Sequence, residues 1–366
     1  MLDSLKKFDW IIIFSSLLLT AIGLLSLYSL SFGRGDILFF KKQVVFLLIG
    51  FFLMFIFGFF DWRVLKENSY LIIIIYFLCI ISLIGLYFFA SSVRGVKSWY
   101  QISIFSINPI EFTKIVLIII LAKYFSTRHI EMYRLKHIII SSLYVLLPSI
   151  IVFFQPEFGS ILIFGLLWIG ILIISGIRLR HFIILFICAA MLLSFIWFIF
   201  LKDYQKERII GFLGIKSDPL GIGWSQNQAK IAIGSGGIWG KGFFKGSQTQ
   251  YGFLPEPYTD FIFAAIAEES GLIGVSFVFF LFALLIWRIV KIALLAESNF
   301  PRLFAMGFSF VLIFHIFVNI GMNLSIMPVI GIPLPFVSYG GSNLIANFIG
   351  LGIIQSIKYH RISKDF

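Results

Sequence analysis

A chain of 366 residues that is 60% hydrophobic, 18% aromatic and only 13% charged cannot keep that much apolar surface out of water as a soluble globular fold. Its net charge of +12 comes from 29 Lys and Arg against 17 Asp and Glu, and the cations sit in short segments between apolar runs, which excludes a basic nucleic-acid-binding face. The two cysteines, Cys79 and Cys188, both fall inside apolar runs and offer no disulfide framework and no thiolate metal site.

What remains is an all-α, polytopic integral membrane protein. A helix crossing the hydrocarbon layer needs about 20 mostly apolar residues, and such runs recur along the whole chain. They predict about ten transmembrane helices, near 11–31, 44–60, 70–90, 109–125, 138–154, 160–176, 182–201, 261–287, 303–323 and 343–357. The whole chain, 1–366, reads as one transmembrane domain with one large loop at about 202–258. The first run is too long for a signal peptide and lacks its small-residue cleavage site, so it is expected to be a retained anchor. Lys6, Lys7, Arg63, Lys66, Arg178, Arg180, Arg288, Lys291, Lys358 and Arg361 fall on one set of helix ends; the other set, the large loop aside, holds only Arg34, Lys41, Lys42, Arg94 and Lys97. That asymmetry places both termini in the cytoplasm and the 202–258 loop outside.

The first three spans carry no assignable chemistry. After them, Arg94, Lys97 and Trp99 join cations to an interfacial ring, a composition that suits a phosphorylated, glycosylated or lipid-linked ligand and equally suits plain interface anchors. Asn108-Pro109-Ile110-Glu111 then reads as a helix start, with Asn as N-cap, Pro in the first turn and Glu111 as a capping-box acid. Lys114, three residues on, either pairs with Glu111 or faces a cavity where it neutralises an anionic substrate. In the turn Gln155-Pro156-Glu157-Phe158-Gly159-Ser160, Glu157 either caps the next helix or lines a cavity.

Within the large loop, Lys202 to Arg208 reads as a solvated, mixed-charge face. Gly234, Gly236, Gly237, Gly240, Gly242 and Gly246 follow, but Trp239 occupies the place of the third glycine of a dinucleotide fingerprint. With Lys241 and Lys245 among them, these glycines suggest a conformable loop whose amides approach sugar or phosphate. Asp260 falls where the loop enters a helix; it or Thr259 caps that helix, or Asp260 accepts a proton from a sugar hydroxyl. Glu268 and Glu269 lie deeper on the same helix and are expected to face the bundle interior. Pro328, Gly331, Pro333 and Pro335 break the segment before the last span, predicting a re-entrant stretch packed inside the protein that ends on Ser338, Tyr339 and Ser342. From the residues alone, an enzyme acting on a lipid-linked substrate, a flippase and a scaffold all remain open, and no inverted repeat is visible.

Four segments narrow the field. GSGGIWGKGFFKGSQTQYGFLPEPYTDFIFAAIAEESGLIG, INPIEFTK, QPEFGS and GIPLPFVSYGGS, in that chain's own spacing, resemble the SEDS (shape, elongation, division, sporulation) family of bacterial cell-wall polymerases, and most of all its elongation branch. The resemblance implies a peptidoglycan glycosyltransferase that polymerises lipid II into glycan strands and releases undecaprenyl pyrophosphate. It implies Asp260 as the catalytic acid residue and a substrate-binding set of Glu111, Lys114, Trp99, Arg94, Lys97, Glu157, Lys241, Ser338 and Tyr339. Where relatives commonly have Arg before the matched Trp, this chain has Ser98, so the cationic role shifts toward Lys97 and Arg94. The implied setting is the bacterial cytoplasmic (inner) membrane with the active site facing outward. The implied partners are a class B penicillin-binding protein and other elongation-complex proteins. No motif calls for a cofactor or assigns metal ligands, although a divalent cation, Mg2+ or Mn2+, is compatible with a departing pyrophosphate. Lipid II flipping, or a non-catalytic scaffold of the elongation machinery, is the alternative.

Overall fold

The computed structural model describes residues 6–362 except 35–36, 91–97, 103–104, 129–134, 179, 186, 188–190, 192–193 and 195–221. Its elements are α1 (Trp10–Arg34), α2 (Leu38–Phe59), the short α3 (Arg63–Glu67), α4 (Ser69–Phe89), the hairpin β1 (Tyr100–Ile102) and β2 (Phe105–Ile107), α5 (Pro109–Arg128), α6 (Leu135–Phe153), α7 (Phe158–Ile174), α8 (Ile222–Gly236), the one-turn α9 (Ser247–Gln250), α10 (Ile262–Leu294), α11 (Asn299–Asn323) and α12 (Gly341–Ile362). The strands pair antiparallel, Tyr100 opposite Ile107 and Ile102 opposite Phe105.

Among the described residues, six helices are long and apolar enough to cross a membrane: α1, α2, α4, α6, α10 and α11, with the shorter apolar α7 beside them. Helices α5 and α12 have the length, but Glu111, Lys114 and Lys123 interrupt the first and Ser342, Asn343, Asn347, Gln355 and Ser356 the second. Apart from the partly exposed Lys123, all of these are buried against protein, so the two helices hide their polar faces inside the bundle. The expected span near 182–201 lies largely outside the described residues.

Two cross-links fix the bundle's depth. At one end Asp9, 1% exposed, caps α1 through Ile11 N at 3.2 Å and binds Arg288 of α10 and Lys358 of α12; Arg288 Nε lies 3.2 and 3.1 Å from its two oxygens, and Lys358 Nζ 3.0 Å from one. Gln355 completes the knot, accepting Asp9 N–H at 2.7 Å and donating to the Asp9 carbonyl at 2.9 Å. The start of α1 and the end of α12 therefore share one end of the bundle. At the other end the Ser29 hydroxyl of α1 bonds the Glu269 carboxyl of α10. From Asp9 to Ser29 runs about 30 Å of helix, the thickness of a hydrocarbon core.

Burial raises the Asp9 carboxyl, but the Arg288 and Lys358 bonds outweigh it and hold it below the usual carboxylate range. A depressed folded value means the stabilisation is complete above the unfolded value and is lost as pH falls through the folded one. The melting-temperature gap between wild type and Asp9→Asn is therefore expected to be constant near neutrality and to shrink below about pH 4. A gap independent of pH down to acid unfolding would contradict the ion-pair account.

The glycine-rich stretch is not the conformable loop its composition suggests. It forms α8, then a strap over a break in α10 at Gly271, whose φ of 65° and ψ of −164° interrupt the helix. The break leaves donors and acceptors unpaired, and the strap's backbone supplies them: Lys241 N to Glu268 O at 3.0 Å, Gly242 N to Glu269 O at 2.9 Å, Leu272 N to Gly237 O at 2.9 Å and Ile273 N to Ile238 O at 3.2 Å. Close approach explains the glycines. A methyl group at Gly236 would lie 2.0 Å from Ala267 O, and one at Gly240, whose φ is +78°, 2.2 Å from Glu269 O. Gly240→Ala is expected to cost about 2–4 kcal/mol, read as a fall in melting temperature or in denaturant midpoint.

Candidate active site

Asp260 belongs to a turn that Pro255 and Pro257 keep from being helical; Thr259 N and Phe261 N both reach the Glu256 carbonyl, at 3.3 and 3.2 Å. Three successive carbonyls of this turn are clamped. Tyr258 O accepts Tyr339 N–H at 2.8 Å, Thr259 O accepts the Ser338 hydroxyl at 2.7 Å, and Asp260 O accepts the side-chain amides of Asn319 and Asn323 at 3.1 and 2.9 Å. The side chain of Asp260 takes no part in that clamp. It is half-buried, and its Oδ2 would be 3.9 Å from a Cβ at Gly331.

Neither Thr259 nor Asp260 caps the following helix, contrary to expectation. Helix α10 begins after Phe261, with no side-chain cap of its own, and Asn323 Oδ1 of α11 accepts Ala264 N–H at 3.1 Å. The capping group arrives from another helix because the same Asn323 already holds the Asp260 carbonyl.

Gly331 belongs to a wall, Ile330 to Pro333, around which the sequence-nominated residues gather. Ile330 O abuts Gly159 of α7, where a methyl group would lie 2.8 Å away; Ile332 O accepts the Asn319 amide at 2.8 Å; Pro333 O faces His315 Nδ1 at 3.3 Å. With Nδ1–H on that carbonyl, His315 Nε2 accepts from Lys114 Nζ at 3.1 Å. Lys114 Nζ also donates to both oxygens of Glu111, at 2.8 and 2.9 Å, and Asn343 Nδ2 donates to Glu111 Oε2 at 2.7 Å. Asn347 supports Asn343 at 2.9 Å. Lys114, 3% exposed, is thus the positive member of a buried and satisfied ion pair, not a cation facing a cavity.

The cap of α5 is Asn108, whose Oδ1 accepts Ile110 N–H at 3.0 Å; Glu111 turns inward to Lys114 and leaves the capping box unmade. Glu157 stands at the N-cap position of α7 and accepts the Ser160 hydroxyl at 2.7 Å. Its Oε2 is enclosed without a hydrogen-bond partner, and burial pushes the carboxyl up against the opposing effect of that hydroxyl. Trp99 is half-buried where the chain enters the hairpin; Arg94 and Lys97 lie outside the described residues.

Other expected ligand residues prove to be braces. Lys241 donates to Glu268 Oε1 at 2.8 Å, and the same carboxylate accepts Gln248 N–H and Thr249 N–H, each at 2.9 Å, capping α9. Ser338, placed by sequence at an open mouth, spends its hydroxyl on Thr259 O and on Leu334 N–H at 2.8 Å. Tyr339 sets its ring edge-on to Phe39, 5.0 Å between centroids, and Phe39 stacks on Tyr258 at 4.8 Å. Glu268 and Glu269 are buried, as expected of acids on this helix.

Sequence reading passed over His315, Asn319, Asn323 and Asn343. The first three carried a signal: polar residues four apart on an otherwise apolar helix form one face, and this face holds both the Asp260 carbonyl and the 330–333 wall. Among the described residues no three His, Cys, Asp or Glu side chains converge to hold a metal ion.

What the arrangement offers is a half-buried carboxyl on a rigidly held backbone, beside a wall that carries a neutralised charge pair behind it. The family model described as cell cycle protein, FtsW/RodA/SpoVE, matches residues 9–363. The chain is 40% identical over 287 residues to the peptidoglycan glycosyltransferase MrdB of Escherichia coli K12, covering 78% of this chain and 77% of that protein. Its fold matches a chain of a solved peptidoglycan synthase complex that coordinates polymerization and crosslinking, with a TM-score of 0.81 and 29% identity over 97% of this chain and 98% of that one. It also matches the crystal structure of the rod shape determining protein RodA of Thermus thermophilus, with a TM-score of 0.69 and 27% identity over 97% of each chain. The Asp260 turn, the strap across α10 and the Glu111–Lys114 pair are thus set in a chain that belongs to the FtsW/RodA/SpoVE family of cell cycle proteins.

Proposed function

We infer that this chain is a peptidoglycan glycosyltransferase that polymerises lipid II into glycan strands during cell elongation. The family match and the kinship to MrdB support the enzyme class. The observation that carries the chemistry is the clamp on the Tyr258, Thr259 and Asp260 carbonyls, which fixes the Asp260 backbone without using its carboxyl.

In this reading Asp260 takes the proton from the 4-hydroxyl of the acceptor sugar. The oxygen attacks the anomeric carbon of the lipid-linked chain, the bond to the pyrophosphate breaks, and undecaprenyl pyrophosphate leaves with the electron pair. A carboxylate of ordinary pKa, about 3.9, is a weak base, and its half-buried setting at the membrane rim strengthens it. Lys114 serves through position: with Glu111 and His315 it holds the wall that Asp260 faces. Arg94 and Lys97 are proposed to meet the pyrophosphate. The described residues do not fit a resident Mg2+ or Mn2+, and no step here passes through one.

The site is proposed to face the outside of the bacterial cytoplasmic membrane, with a class B penicillin-binding protein as partner within the elongation machinery. The test is incubation of the purified chain with lipid II and that partner, the partner's own chemistry blocked, in detergent without a gradient. Glycan strands on a gel support the reading. Transbilayer movement of lipid II in vesicles with no new glycosidic bond would replace it by a flippase.

A further inference from the structure

The depth frame set by Asp9 and Ser29 locates the strap. Phe244 N–H donates to the Ser29 hydroxyl at 2.9 Å, the Gln250 amide donates to Ser29 O at 3.3 Å, and Gly242 N–H donates to Glu269 O at 2.9 Å. The segment from Ile238 to Phe253 is therefore pinned at one level, about 30 Å along α1 from Asp9. The second half of α10, from Leu272 to Leu294, independently supplies about 34 Å of helix, enough to cross the hydrocarbon from the strap to the other face.

At that level the segment exposes large side chains: Trp239 at 81%, Tyr251 at 77% and Ile238 at 60%, with Phe243, Phe244 and Phe253 about half exposed. This face continues the lipid-facing side of a candidate membrane span. Phe244 packs edge-on against Tyr28 and Phe32 of α1, 5.9 and 5.5 Å between centroids, and both of those rings are exposed. Lys245 is exposed next to Phe244. Trp and Tyr with a neighbouring Lys at the end of an apolar span match the chemistry of a headgroup layer, apolar on one side and anionic on the other.

We propose that the segment Ile238–Phe253 is a membrane-interface shelf, its exposed rings seated among the headgroups and upper acyl chains of the bilayer face opposite the termini, with Lys245 against anionic lipid phosphate. The segment that composition assigns to a water-exposed loop thereby becomes part of the lipid contact. Because its backbone completes the broken helix at Gly271, the shelf ties that break to the bilayer surface.

The test reads Trp239 directly. The full chain is reconstituted in bilayer discs of phosphatidylcholine and phosphatidylglycerol, with bromine on acyl carbons near the headgroup, and the Trp239 signal is taken as wild type minus Trp239→Phe. The expected result is loss of about half or more of that signal in brominated bilayers, with little quenching by aqueous iodide. Quenching by iodide and none by bromine would place the ring in water and overturn the proposal. A signal insensitive to both would mean protein covers it, from a second copy or otherwise, and would overturn it equally. Lys245→Gln is expected to lower quenching when the bromine is carried by phosphatidylglycerol but not by phosphatidylcholine; equal quenching in both would remove lysine's part.

Discussion

Asp260→Ala is expected to lower lipid II polymerisation by about three orders of magnitude, the scale of a lost general base, while the protein keeps its melting temperature. The second half of that expectation follows from the clamp. Asn319 and Asn323 hold the Asp260 carbonyl, Ser338 holds Thr259 O and Tyr339 holds Tyr258 O, and all of these bonds are to main chain that alanine retains. Helix α10 is likewise capped by Asn323 through Ala264 N, so no cap is removed. Asp260→Asn, similar in shape but unable to accept the proton at neutral pH, is expected to be as inactive as alanine. Asp260→Glu, which moves the carboxyl by one methylene, is expected to keep a small fraction of activity. Gel analysis of glycan strands beside thermal melts decides the matter: near-normal polymerisation by the alanine variant would remove Asp260 from the chemistry.

Lys114→Met is expected to be the most destabilising single change at the site. It strands the Glu111 carboxylate, 8% exposed, with only the Asn343 amide as partner and leaves His315 Nε2 without a donor. Breaking a buried pair from one side costs about 3–5 kcal/mol, because an uncompensated charge stays behind. The double change Glu111→Gln with Lys114→Met removes both charges and is expected to recover much of that loss. Unfolding midpoints in mixed micelles measure all three variants. Strictly additive effects would show that the pair is not coupled. A stable double variant that still polymerises poorly would identify the network as a positioning device for the 330–333 wall.

The boundary between what was legible and what was not follows the range of the forces. Asn108 as N-cap of α5 was readable because capping is decided within a few residues, and the breakers Pro328, Gly331, Pro333 and Pro335 forbid a helix locally. Glycine spacing near 240 was read as freedom, whereas the fold uses it for closeness: what matters at Gly236 and Gly240 is the carbonyl of α10 lying where a Cβ would be. Lys241, a free cation by composition, is neutralised by Glu268, 27 residues later in the chain. Asp9 gave no local sign beyond preceding an apolar run, because its partners Arg288 and Lys358 are 279 and 349 residues away.

The amino-acid sequence by itself determined the solvent of this protein, the places where helices begin and break, and the position of one carboxylate at the junction of a polar segment and a membrane helix. Apolar run length, caps and breakers act over one or two turns and need no partner. Only the tertiary structure decided which polar groups are neutralised and which face the site. In a low-dielectric bundle each buried donor and acceptor must find a mate, and the mates of Asp260's carbonyl, Glu111, Lys114 and Glu268 come from other segments of the chain.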